Sequence, residues 1–204
     1  TDAPSLTGTG PAAITGINNC AANAPAFDAT YAVTGYTDDC GGTVTATLTN
    51  TDLNPSSDCG WTVTYTYEVA DACNNKLTGQ TYTVSGADAD APTGNAPAGL
   101  NNLNGCMSEA LTLAVFDAAA VATGYSDVCA TLTAANIVNY SVSVSGSDCA
   151  WTVDHTYDVV DDCGNRLSGE TYRDQGSDKD APAGAAPAGT DYNGCLAENT
   201  TLSV

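Results

Sequence analysis

The feature that most constrains this chain is that it repeats. Asp-Ala-Pro occurs at Asp2-Ala3-Pro4, at Asp90-Ala91-Pro92 and at Asp180-Ala181-Pro182, spacings of 88 and then 90 residues. Between these marks the copies align without gaps over a long stretch. SDCGWTVTYTYEVADACNNKLTGQTYTVSGADADAP from Ser57 lies on SDCAWTVDHTYDVVDDCGNRLSGETYRDQGSDKDAP from Ser147. Self-similarity at a fixed period marks a repeat architecture, in which one structural unit is built and then built again. The chain is therefore read as one repeat over 1–88, a second over 89–178, and the start of a third, incomplete, over 179–204. The last piece is too short to bury a core of its own.

Cysteine positions keep the same register. Cys20, Cys40, Cys59 and Cys73 answer to Cys106, Cys129, Cys149 and Cys163, and Cys195 answers to Cys20 and Cys106. Nine cysteines with one histidine and no Cys-x-x-Cys point to disulfides and an oxidising compartment rather than to zinc. The expected location is extracellular. Thr1 opens the chain without a basic-then-apolar leader, so it is read as a mature or excised segment, and no run of about 18 apolar residues is present for membrane insertion.

From Trp61 the sequence alternates strictly, with Trp61, Val63, Tyr65, Tyr67 and Val69 on one face and Thr62, Thr64, Thr66 and Glu68 on the other. A period of two over β-favouring residues predicts a half-buried strand. Val44 to Thr49 and Thr78 to Val84 alternate in the same way, the latter after the turn Ala72-Cys73-Asn74-Asn75. No helical period stands out, and the Ala-rich Phe116–Ala122 is read as strand or loop. Short strands between Gly, Asn, Asp and Pro clusters predict an all-β fold of tandem immunoglobulin-like β-sandwich modules with two disulfides per module. In that topology Cys20 and Cys59 fall at one end of the unit and Cys40 and Cys73 at the other. The expected pairs are Cys20 with Cys59 and Cys40 with Cys73, then Cys106 with Cys149 and Cys129 with Cys163.

The strings Tyr36-Thr-Asp-Asp-Cys40, Cys59-Gly-Trp-Thr-Val-Thr-Tyr-Thr-Tyr67, Asp71-Ala-Cys-Asn-Asn75 and Asp88-Ala-Asp-Ala-Pro92 resemble the hyalin-repeat (HYR-like) immunoglobulin modules. The four-cysteine form is similar to the tandem repeats of giant surface proteins of Bacteroidetes, including gliding-motility adhesins. The resemblance covers both full copies and the start of the third. It implies an immunoglobulin-like fold, export to the cell surface, and a part in stalks, filaments or adhesion, and it carries over no catalytic residue.

Charge and chemistry narrow the function further. Against 24 acidic residues stand only Lys76, Arg166, Arg173 and Lys179, a net charge of -20 that argues against nucleic acid and anionic membranes as partners. His155, the only histidine, replaces Tyr65 in the apolar stripe of its strand and is read as structural, which leaves no imidazole for a nucleophile system. Carboxylates gather at loops and joints rather than in a cleft, so no enzyme activity is expected. Around the first linker Asp88, Asp90, Asp127, Asp161 and Asp162 are expected to converge, and Asp178 and Asp180 repeat the linker pattern. Such crowding suggests Ca2+ at the joints between repeats, with no other cofactor required. Asn139 and Asn199 lie in N-glycosylation sequons.

The expected function is structural: a segment of an extracellular bacterial surface fibre or adhesin stalk, whose partners are further copies of the same repeat in this or neighbouring chains. Two rivals stand beside it. One is a ligand-binding adhesive module for a surface glycan or protein, marked by Tyr31, Tyr36, Tyr125 and Tyr192 outside the core stripes. The other is a self-assembling filament subunit whose partial C-terminal repeat, with Cys195, is completed by another chain.

Overall fold

A computed structural model describes residues 5–6 and 10–189. In the first repeat, β1 (Ser5–Leu6), β2 (Ile14–Asn18) and β3 (Tyr36–Thr37) precede three long strands, β4 (Thr45–Ser57), β5 (Gly60–Ala70) and β6 (Lys76–Ala87). The second continues with β7 (Thr93–Gly94), β8 (Leu103–Asn104), β9 (Tyr125–Ser126), β10 (Ile137–Ser147), β11 (Ala150–Val160) and β12 (Arg166–Ser177). Each repeat yields one four-stranded mixed sheet, ordered β2-β6-β5-β4 and β8-β12-β11-β10, and one two-stranded ribbon, β1-β3 and β7-β9. The protein is mostly β.

The central strand of each sheet follows from its alternation. Trp61, Val63, Tyr65, Tyr67 and Val69 are all buried, as are Trp151, Val153, His155, Tyr157 and Val159 at the aligned positions. The intervening Thr and Glu stay half-exposed, so one face packs and the other is wet. The same partners recur across β5 and β6 as across β11 and β12: Trp61 lies opposite Gly86 and Trp151 opposite Gly176. Glycine is required there because a Cβ on Gly86 would stand 2.4 Å from the Trp61 ring, and one on Gly176 2.1 Å from the Trp151 ring.

The layer that covers the packed face of each sheet contains short helices. Helix α1 (Ala29–Ala32) starts at Asp28, whose carboxylate accepts from the Thr30 and Tyr31 amides, and places Ala32 in the core. Beyond α2 (Ala110–Leu113), α3 (Ala118–Ala122) occupies the segment read from sequence as strand or loop. The correction has a local cause: Asp117 accepts from the Ala119 and Ala120 amides, an N-cap that fixes the first turn of an alanine run. A helix of one turn is too short to show a 3.6 period.

Strand direction fixes the ends. Strands β2 and β6 are parallel and finish where β5 begins, so Cys20, Cys59 and the linker from Asp88 share one end of the first repeat, its trailing end. Cys40 and Cys73 lie at the opposite, leading end. In the second repeat Cys129 and Cys163 stand at the leading end, and Cys106 and Cys149 at the trailing end.

Both disulfides run between the repeats. Cys20 bonds to Cys129 and Cys59 to Cys163, with Cα separations of 5.2 and 4.8 Å. This corrects the four expected pairs within repeats. Cysteines that share an end face the next repeat rather than each other, so the sequence placed them at the right ends but with the wrong partners. Cys40, Cys73, Cys106 and Cys149 carry free thiols, and Cys195 lies outside the described residues.

Candidate functional site

The joint between the repeats is where the unusual chemistry collects. Its first half is built by local hydrogen bonds. The Asp88 amide donates to the Asp58 carbonyl at 2.7 Å, the Ala21 amide donates to Asp58 Oδ1 at 2.7 Å, and the Trp61 indole donates to the Asn19 carbonyl at 2.8 Å. Asn18 Oδ1 accepts from the Ala89 amide while its Nδ2 donates to Asp90 Oδ1. Cys20, Cys59 and the linker are thereby held as one surface.

The second half is a pair of Asp-anchored turns. Asp161 Oδ1 accepts from the Cys163 and Asn165 amides, each at 2.8 Å, and its Oδ2 accepts from Asn165 Nδ2. Asp127 Oδ1 accepts from the Cys129 and Ala130 amides. Asx turns of this kind fix the backbone that aims each sulfur. One further bond crosses the joint, from Asn165 Nδ2 to the Asp88 carbonyl at 3.2 Å. A cleft of about 210 Å³ remains, lined by Asp58, Cys59, Asp88, Cys129, Asp162 and Cys163 among others.

Asp88 is the strained member of this joint. It is only 6% exposed, its Oδ1 accepts from the Asp90 amide, and its Oδ2 is buried without a partner. Burial raises its pKa, and the charges of Asp127, Asp161 and Asp90 push it the same way.

The structure brings together part of the expected acidic set. Ligand atoms of Asp88, Asp127 and Cys129 lie within 4.8 Å of one another, but the Cys129 sulfur is already in a disulfide. Asp161 is buried with its oxygens committed to its own turn, Asp90 is turned toward Asn18, and Asp162 is exposed at the cleft. Asp178 and Asp180 stand exposed at the far end of the second repeat. Ca2+ takes six to eight oxygens. Of this group, Asp88 Oδ2 is buried without a hydrogen-bond partner, with the Asp127 carboxylate beside it.

Outside the joint, His155 is fully buried, its Nε2 3.1 Å from Asp174 Oδ2 and its Nδ1 3.0 Å from the Tyr140 hydroxyl. No substrate reaches a ring with no exposure, and burial with the nearby Asp174 charge raises the pKa of Tyr140, the reverse of nucleophile activation. Of the tyrosines expected to mark a ligand surface, Tyr36 and Tyr125 are buried and hydrogen-bonded to Gln80 and Glu170, and Tyr31 packs edge-on against Tyr82. Tyr192 lies outside the described residues. Asn139 sits at the β10 bulge with its amide donating to Asp158 Oδ2 at 2.7 Å, and Asn199 lies outside the described residues.

Sequence reasoning missed the clamps Asp58 and Asn18 and the direction of cystine pairing. The signal for the clamps was present, since Asp148 and Asn104 stand at the aligned positions. Compared with known proteins, the chain matches no family model and no curated relative.

Proposed function

We propose that this chain is a segment of an extracellular bacterial surface fibre or adhesin stalk, built from tandem immunoglobulin-like units that are covalently locked end to end. The observation that carries this reading is that both disulfides cross from one repeat to the next. A cystine within a unit stabilises that unit, whereas a cystine between units fixes their relative orientation. Here two cystines and the Asp88–Pro92 linker connect the same two ends. Three covalent connections remove the bending and twisting that a single short linker leaves, and buried Pro92 fixes its own backbone angle.

The rest of the chemistry suits such a part. Cystines persist in oxidising surroundings, which favours the cell exterior. Ion pairs of Lys76 with Glu68, Arg166 with Asp158 and Arg173 with Asp154 engage three of the four Lys and Arg side chains, so the outer surface is dominated by carboxylates. A net charge of -20 keeps neighbouring fibres soluble and apart.

Small-angle scattering of the oxidised chain, repeated after reduction, tests the reading. Oxidised protein is expected to scatter as one rigid body, and reduction to broaden the distribution of dimensions. A profile of two freely jointed units in the oxidised state would overturn it.

A further inference from the structure

Each uncovered end of the described protein carries the half-joint that its counterpart uses in the interior. At the trailing end of the second repeat, the Asp178 amide donates to the Asp148 carbonyl at 2.7 Å, the Met107 amide to Asp148 Oδ1 at 2.8 Å, and the Trp151 indole to the Gly105 carbonyl at 2.8 Å. Asn104 Oδ1 accepts from the Lys179 amide at 2.8 Å, as Asn18 does from Ala89. This surface is the one that seats a partner in the first repeat, bond for bond, and here it stands ready-made with Cys106 and Cys149 on it.

The leading end of the first repeat is equally prepared. Asp71 Oδ1 accepts from the Cys73 and Asn75 amides at 2.9 and 2.8 Å, and its Oδ2 accepts from Asn75 Nδ2, the turn that aims Cys163 in the interior joint. Asp38 Oδ1 accepts from the Cys40 amide, as Asp127 does from Cys129. What differs between ends is cover. Asp88 and Cys20 are buried in the interior joint, while Asp178 is exposed and Cys106 half-exposed, and Asp161 is buried where Asp71 is half-exposed. Both thiols at the leading end are exposed.

From this we infer that the trailing end of one chain takes the leading end of a second copy through two disulfides, Cys106 with Cys40 of that copy and Cys149 with its Cys73. The pairing is dictated by alignment, since Cys106 and Cys149 stand where Cys20 and Cys59 do, and Cys40 and Cys73 where Cys129 and Cys163 do. It rests on the head-to-tail reading above for its direction. Each disulfide formed releases two electrons and two protons, which a small-molecule disulfide oxidant accepts. A thiolate attacks the oxidant and expels one thiol, then the facing thiolate attacks the mixed disulfide and expels the second. Burial, with the charges of Asp178, Asp148, Glu109 and Asp180, raises the Cys106 pKa, so joining is slower at neutral than at alkaline pH.

Complementary variants of the full chain, both in a Cys195→Ser background, test this. One carries Cys40→Ser and Cys73→Ser, the other Cys106→Ser and Cys149→Ser, and each is oxidised with glutathione disulfide alone and in mixture. Dimer is expected in the mixture only, with mapped peptides joining Cys106 to Cys40 and Cys149 to Cys73. A mixture that stays monomeric, dimer in either variant alone, or Cys40 bonded to Cys73 would overturn the proposal. Circular dichroism and mapping of the interior cystines in each variant confirm folding. Intact interior cystines without coupling sink this inference and leave the function above standing, while their loss sinks both.

Discussion

Asp88 shows how a repeat joint stores an unfavourable contact. A buried carboxylate oxygen without a donor costs about 1–3 kcal/mol, and the neighbouring Asp127 and Asp161 add repulsion. The folded-state pKa lies above the ordinary value of 3.8, so the group favours folding below that value and loses the benefit as pH rises through the folded value. Asp88→Asn should therefore raise the melting temperature at neutral pH, by the equivalent of about 1–2 kcal/mol. The gain should vanish near about pH 3, where both states of Asp88 are protonated. EDTA should leave the wild-type melt unchanged, and a fall on chelation would show that a cation occupies the joint. The acidic crowding was legible in the linker sequence. The distribution of the five carboxylates was not, because Asn18, which claims Asp90, lies 72 residues from it in the chain, and Asn165, which holds Asp161 within its own turn, reaches the Asp88 carbonyl 77 residues away.

Among the elements, the long strands were the most legible. Strict alternation from Trp61 to Val69 has one interpretation, and the register of β5 against β6 follows from the turn at Asp71–Asn75, which closes on the Asp71 amide and the Asn75 carbonyl. The glycines facing each Trp were visible only as shared letters of the two copies, and their reason appears once the indole lies across them. Gly86→Ala would place a Cβ 2.2 Å from the Ile17 carbonyl oxygen as well as against Trp61. The expected loss is about 1–3 kcal/mol in thermal or urea unfolding. Gly60→Ala, with nothing within 4 Å of the added carbon, should be close to neutral. Equal effects at the two positions would mean that the ring packing is not what requires glycine at 86. The short helices escaped sequence reading for the opposite reason: one turn carries no period, and Asp28 and Asp117 had to be recognised as caps.

At the scale of the whole molecule, the decisive property is which sulfur meets which. Period, cysteine register and end placement were all legible in the sequence, yet cysteines gathered at one end can bond sideways within a repeat or forward to the next, and spacing is the same for both. The answer depends on how the ends abut, which is set by Asp58, Asn18 and the Asp127 and Asp161 turns. The first cross-repeat disulfide to form closes a loop of 104 or 109 residues, and closing such a loop is worth about 4–5 kcal/mol in the chain-entropy picture. The second then adds orientation more than loop closure. Mass-spectrometric mapping of the cystines in the oxidised, unalkylated protein is the most direct measurement. Peptides joining Cys20 to Cys129 and Cys59 to Cys163 are expected, and peptides joining Cys20 to Cys59 or Cys129 to Cys163 would contradict the locked joint.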